Sequence, residues 1–279
     1  MGNRLHGFMS LESPKNGGRL ALAFALLTVV FVAWSAYAIA TAAMPPLAAD
    51  RGRIDSAITL NLIISGVVFF GAHIALVLIL VRRPREARIP HENVRIEILW
   101  TVLTAIVLIA LLVNSEIDTR ALARGSSVTD GSEPLVVEVV AQQFAWNIRL
   151  PGEDGIFGRT DPKLVDQAEL NFIGLDKRDP ASEDDIVLPQ SLLILPAGRE
   201  VRIRLRSLDV IHSFFVASFR VKRDAMPGIA TEFTFTPTTP GVFELACAEH
   251  CGLGHYRMRG MVEVVPAAEW AAKVTEVTQ

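Results

Sequence analysis

Cysteine is scarce in this chain: 279 residues contain two, four positions apart, at Cys247 and Cys251. A disulfide between them would close a very small loop and constrain little. Metal ligation or redox chemistry is the better reading of so tight a pair. The pattern C-x-x-C-H is missing, so the chain attaches no c-type haem of its own. An excess of one charge is missing too. The formal net charge of -3 offers no footprint for nucleic acid. The sequence also has no internal repeat and no low-complexity segment, which excludes repeat architectures.

Apolar residues are abundant, at 51% of the total, enough for membrane spans and one further domain. Residues 1–19 are polar and carry Arg4, Lys15 and Arg19 against one acid, Glu12. Leu20 to Met44 then runs apolar for 25 residues before Pro45 and Pro46, about 37 Å as a helix and enough to cross a bilayer. Small residues around Ala38–Ala43 fit a signal peptide, and an additional span fits equally well, so residues 1–44 keep both readings. A second run, Ile58 to Val81, ends in the basic cluster Arg82–Arg88, the mark of a cytoplasmic edge. A third, Ile98 to Val113, has Trp100 near its start as an interface anchor. The expectation is a transmembrane α-helical hairpin over 45–118, with spans at about 58–81 and 96–114. Its connection lies inside, and the chain from Asn114 onward lies outside.

After a linker at 119–133 the texture changes to short alternating runs broken by Gly and Pro, the pattern of β-structure. Strands are expected at Leu135–Val140, Phe144–Leu150, Val201–Arg206, Glu232–Thr236, Val242–Ala246 and Met261–Val265. Together they imply an all-β sandwich or barrel over 134–266, followed by a weakly helical tail at 267–279. Between Glu153 and Asp185 ten acids face four bases. The plain reading is a solvated loop; the functional one is an electrostatic guide for a basic partner.

Chemistry concentrates in Cys247-Ala-Glu249-His250-Cys251-Gly-Leu-Gly-His255-Tyr-Arg-Met258, with His212 upstream. A single-copper blue site uses two His and one Cys with a weak axial Met. Here Cys251, His255 and Met258 follow in the usual order, and Cys247 adds a second thiolate. Two thiolates can bridge two copper ions. His212 and His255 then supply one imidazole each, and Met258 and a loop carbonyl such as that of Glu249 supply the weak ligands. A two-Cys, two-His zinc site is the rival, but zinc leaves Met258 without a purpose. His250 reads as a surface residue.

These residues resemble subunit II of the haem-copper cytochrome c oxidases, whose loop runs Cys-x-Glu-x-Cys-Gly-x-x-His-x-x-Met; residues 247–258 fit every fixed position. Asp209-Val-Ile-His212-Ser-Phe, Lys222-Arg-Asp224-Ala-Met-Pro227-Gly228 and Glu97-Ile-Leu-Trp100-Thr101 resemble further family segments. The resemblance covers roughly residues 55–265 and implies a cupredoxin-like barrel holding a binuclear copper centre. The implied ligands are His212, Cys247, Cys251, His255, Met258 and the main-chain oxygen of Glu249. It also implies that the Glu249 carboxylate helps bind magnesium against subunit I, and that Glu97 stands at a proton-path entrance. Cytochrome c is the implied donor, subunit I and other oxidase subunits are the partners, and the complex is a proton-pumping cytochrome-c oxidase. The implied location is a bacterial-type inner membrane, multi-pass, with the copper domain on the periplasmic side. Phe144 stands where the family often has Trp, so electron entry falls to Phe144 or Trp146. Ala217 and Thr104 replace prolines common in the family. No cytochrome domain follows before Gln279, so the donor is expected to be a separate protein. The alternatives are the equivalent relay subunit of a copper-containing nitric oxide reductase and a membrane-anchored copper-binding or assembly protein.

Overall fold

The computed structural model describes residues 16–41, 44–82, 93–123, 133–189 and 191–279. The polar start at 1–15, the basic residues at 83–88 and most of the 119–133 linker lie outside the described residues. Three helices come first: α1 (Asn16–Thr41), α2 (Gly52–Arg82) and α3 (Val94–Ala123). Apolar stretches at Gly52–Ile79 and Val94–Leu122 are long enough to cross a membrane. Both helices outrun the apolar cores of the sequence, because helix propagation continues through the flanking polar turns. Asn93 opens α3, its Oδ1 accepting from the Ile96 N–H at 3.3 Å.

Leu62, Val67, Leu99 and Leu112 lie exposed along α2 and α3, as lipid-facing side chains must. Polar groups within these helices bond back to their own turns. Asn61 donates to the Ala57 carbonyl at 2.8 Å, and Thr101 to that of Glu97 at 2.7 Å. Without water in the bilayer core, that local satisfaction is required.

A second compact unit comprises residues 44–56 together with the chain from Asn114 onward. Its ten strands are β1 (Leu135–Gln142), β2 (Ala145–Leu150), β3 (Ile186–Leu188), β4 (Leu192–Pro196), β5 (Val201–Ser207), β6 (His212–Val216), β7 (Val221–Ala225), β8 (Thr231–Phe235), β9 (Gly241–Cys247) and β10 (Arg259–Val265). They form two five-stranded sheets, ordered β3-β2-β1-β5-β8 and β4-β10-β9-β6-β7. The β1/β5 and β4/β10 pairs are parallel and the rest antiparallel. This is the expected cupredoxin-like sandwich. In β5, Val201, Ile203 and Leu205 are buried while Arg202 and Arg204 face out, so the period of two sets the inner face. Trp146, Phe214, Phe235 and Leu245 are fully buried in the shared core. Truncating a ring such as Phe214 to alanine costs about 3–5 kcal/mol.

Strand β1 is buried on both faces, because the segment 151–185 folds over its outer side. The fastening is ionic. Arg149 donates to Glu138 at 2.7 Å, to Asp185 at 2.6 Å and to the Gly158 carbonyl at 2.9 Å. Arg206 reaches Glu138 at 3.2 Å and the Thr160 hydroxyl at 3.0 Å. Burial opposes ionisation of Glu138, yet Arg206 and Arg149 outweigh it and hold its carboxyl below the ordinary range.

Many acids of 153–185 also make bonds within the segment. Asp154, Asp161, Asp166 and Asp179 accept backbone N–H bonds that shape turns, at 2.7, 2.9, 2.8 and 3.4 Å. Asp176 pairs with Arg178, Asp184 accepts from the Asp154 N–H, and Asp185 is buried against Arg149. These seven aspartates shape the segment, and Asp154, Asp161, Asp166, Glu153, Glu169 and Glu183 remain exposed.

Two further elements join this core. Residues 44–56 strap onto the β-unit through Ala48 N–H to the Ser218 carbonyl and Asp50 N–H to that of Thr236, at 2.8 and 3.0 Å. The C-terminal helix α4 (Trp270–Thr278) buries Val274, and Trp270 Nε1 donates to the Ile194 carbonyl at 3.0 Å.

Candidate metal centre

His212 opens β6 and Cys247 closes β9, two strands joined so that Phe214 stands opposite Cys247. From Cys247 the chain turns through residues 248–258 and returns into β10. Two backbone bonds close the turn, Cys247 N–H to the Met258 carbonyl at 3.1 Å and Ala248 N–H to that of Ser213 at 3.0 Å. A single helical turn at His255–Arg257 carries His255 and Met258 to the same side as the thiols.

Six donor atoms converge. The two sulfurs stand 3.9 Å apart, and both cysteines are free. His212 Nδ1 lies 3.9 Å from Cys247 Sγ and 3.0 Å from Met258 Sδ. His255 Nδ1 is 3.6 Å and Met258 Sδ 3.7 Å from Cys251 Sγ. The Glu249 carbonyl oxygen is 3.2 Å from Cys247 Sγ. His212, Cys247, Cys251 and Met258 are buried, His255 is half-buried, and the Glu249 side chain is exposed. His250 is exposed, with its ring centroid 5.5 Å from that of His255.

Electrostatics favour a cation here. Burial first, and then the neighbouring Cys247, push the Cys251 thiol up to about 11. Two thiolates this close repel each other unless positive charge lies between them. Soft sulfur, imidazole and a buried thioether suit copper. A zinc site of two Cys and two His leaves Met258 idle, whereas here its sulfur sits in the donor cluster.

Two residues to which the sequence alone gives no role orient the site. Asp209 Oδ1 accepts from His212 Nε2 at 2.8 Å, which assigns the proton to Nε2 and leaves Nδ1 to the sulfurs. Its other oxygen accepts from the Gln143 N–H at 2.7 Å. Burial opposes ionisation of Asp209, but the His212 bond and these backbone bonds hold its carboxyl below the ordinary range. Gln143 also donates its side-chain amide to the Cys251 carbonyl at 2.6 Å. The sequence signals for Asp209 are its place three residues before a candidate ligand and in a segment that resembles the family; nothing local marks Gln143.

The β1–β2 turn interlocks with the loop. A Cβ at Gly254 would stand 2.4 Å from the Phe144 ring, and one at Gly252, where φ is +131°, 2.8 Å from Gln143 Nε2. Only glycine permits that approach. Phe144 remains 36% exposed, whereas Trp146 is 1% exposed and packs edge-on to His212 at 6.2 Å. Of the two rings considered for electron entry, Phe144 reaches the surface and Trp146 is buried against His212. Glu97 lies exposed in the first turn of α3, in the helical unit.

Sequence comparison with known proteins agrees with this picture. Residues 135–265 match the family model of the cytochrome c oxidase subunit II periplasmic domain. An alternative cytochrome c oxidase subunit 2 from Bradyrhizobium diazoefficiens is 34% identical over 231 residues, 81% of this chain and 81% of that one. The crystal structure of the periplasmic domain of cytochrome oxidase subunit II from Bradyrhizobium japonicum is 26% identical, with a TM-score of 0.37. It covers 52% of this chain and 94% of its own.

Proposed function

The chain belongs to the cytochrome c oxidase subunit II family, and from that premise we propose that its β-domain holds two copper ions and relays electrons from a cytochrome c to haem in subunit I. The family's members are electron-transfer subunits, and this chain is membrane-anchored with an extracytoplasmic domain. The convergence of two thiols, two imidazoles, a thioether and a carbonyl within one buried cluster supports the reading most directly. A copper pair bound there supplies one-electron redox chemistry.

The chain's own residues hold and insulate that pair. Cys247, Cys251, His212, His255, Met258 and the Glu249 carbonyl would hold the pair. Asp209 fixes the His212 ring, and Trp146 and Phe214 keep water from its far side. Phe144 is the entry ring, being partly exposed and packed against Gly252 and Gly254 of the loop. The Glu249 carboxylate points outward and serves a magnesium ion shared with subunit I, an oxygen-seeking cation. Glu97 serves the mouth of a proton path in the oxygen-reducing, proton-pumping complex.

Purified full-length chain loaded with copper is expected to carry two copper ions that share one unpaired electron. One zinc ion, or a single copper per chain, overturns the proposal. In the assembled oxidase, Glu97→Gln is expected to slow oxygen turnover while leaving copper reduction by cytochrome c unchanged. Unaltered turnover removes Glu97 from the proton path.

A further inference from the structure

Away from the metal loop, three arginines converge on a recess with Glu232 in its lining and Asp50 and Asp224 close by. Arg51 precedes α2, Arg202 lies on β5 and Arg223 on β7, and together they line a cavity of about 380 Å³ within the β-unit. Among the described residues none of the three forms an ion pair within 4.0 Å, and Glu232 is the one acid in the lining. Arg51 donates to the Thr234 carbonyl, directly across the ladder from Arg202. The Arg223 guanidinium lies 5.9 Å from the Phe233 ring centroid. Burial lowers the Arg51 pKa from its ordinary value; Asp50 opposes the shift, and the like charge of Arg223 adds to it. Three guanidinium groups gathered around one lining acid, Glu232, attract a further anion.

The position says which anion. Arg51 stands immediately before the apolar stretch Gly52–Ile79, and Leu122 of the lining ends the stretch Val94–Leu122. The recess thus includes a residue at or next to the end of each apolar stretch. Those ends lie on the extracytoplasmic side, where topology gives no reason for basic residues to gather. Leu122 and Phe233 add apolar wall beside the charges. A group that is anionic at one end and hydrocarbon at the other meets both needs. Guanidinium groups bind phosphate oxygens through paired hydrogen bonds.

We propose that this recess binds the phosphate of an anionic phospholipid in the outer half of the bilayer, held by Arg51, Arg202 and Arg223 beside Leu122 and Phe233. The site rests on the membrane anchoring and is independent of copper.

The test uses full-length chain in detergent, titrated with phosphatidylglycerol, phosphatidylcholine or inorganic phosphate and followed by native mass spectrometry. One phosphatidylglycerol is expected to bind, with neither phosphatidylcholine nor inorganic phosphate matching it. The double variant R202Q/R223Q, both exposed side chains, should weaken that binding by about thirtyfold, at about a kcal/mol per basic residue. An unchanged copper spectrum and melting temperature show that the variant folds. Equal lipid affinity in the variant overturns the proposal. So does inorganic phosphate binding as tightly as the lipid, which makes this a free-anion site. If the variant instead loses its partner oxidase subunit while lipid binding is unchanged, the recess serves a partner's carboxylates and the proposal fails.

Discussion

At Asp209 one carboxylate joins two parts of the metal site, accepting from His212 Nε2 and from the Gln143 backbone. Outer partners of this kind fix the tautomer and aim of a metal-binding imidazole. Asp209→Asn keeps the size and removes the charge. It is expected to leave two copper ions per chain but weaken their retention against a chelator by about 10- to 100-fold. A chelator competition curve identical to wild type would show that the His212 ring is held by packing alone. Phe144 offers a second residue-level prediction. Phe144→Ala is expected to slow reduction by cytochrome c while sparing the copper spectrum, as stopped-flow kinetics would register. An unchanged rate moves electron entry elsewhere on the loop.

Among the elements, the β1–β2 turn and the metal loop lean on each other through Gly254 and Phe144. Gly254→Ala drives a methyl group into that ring and is expected to cost about 1–3 kcal/mol, the usual penalty of overpacking. Adding Phe144→Ala should restore much of the loss, and thermal melts of the single and double variants measure the coupling. The donor set was legible because ligand chemistry depends on residue type and local spacing, and residues 247–258 carry both. The strands with clean alternation, such as β5, were legible for the same local reason. Strand β6 (HSFFV) lacks alternation, β7 (VKRDA) is a polar edge and β3 has three residues; their pairing is decided by neighbours distant in sequence. The Glu138–Arg149–Asp185 cluster was equally invisible, since its members lie up to 47 positions apart and meet only in the fold.

That cluster gives a pH prediction. Glu138 has a folded pKa below its ordinary 4.5, so it contributes stability above that value and loses it as pH falls through the lowered one. Asp185 works the other way: burial raises its pKa against the pull of Arg149, so its ionisation opposes folding as pH rises. Glu138→Gln leaves Arg149 and Arg206 short of their shared buried partner. It is expected to cost about 3 kcal/mol at neutral pH and to flatten the acid limb. Urea unfolding at neutral and acidic pH checks both; a variant with the wild-type acid slope would remove Glu138 from the linkage.

For the whole molecule, the strap at 44–56 makes the β-unit more than the 134–266 stretch its texture suggests. Ala48 and Ala49 are buried in the core, and Arg220 grips Asp55 through two oxygens at 2.6 and 3.1 Å while also reaching the Pro45 carbonyl at 3.0 Å. Arg220 is 9% exposed and Asp55 30%, so the pair is shielded more than a surface bridge but is not fully dry. Its worth lies between the two cases, about 1–2 kcal/mol, or several degrees of melting temperature for a unit of this size. Arg220→Gln should lose that amount, and Asp55→Asn nearly the same. Because both variants break the same ion pair, the double variant should lose less than the sum of the two. Strict additivity would mean that the two side chains act separately, and the strap would then depend on its backbone bonds to Ser218 and Thr236 and on the buried alanines. In that case a β-domain beginning at residue 133 should still melt below one that carries residues 44–56, since those bonds vanish with the strap whatever the ion pair contributes.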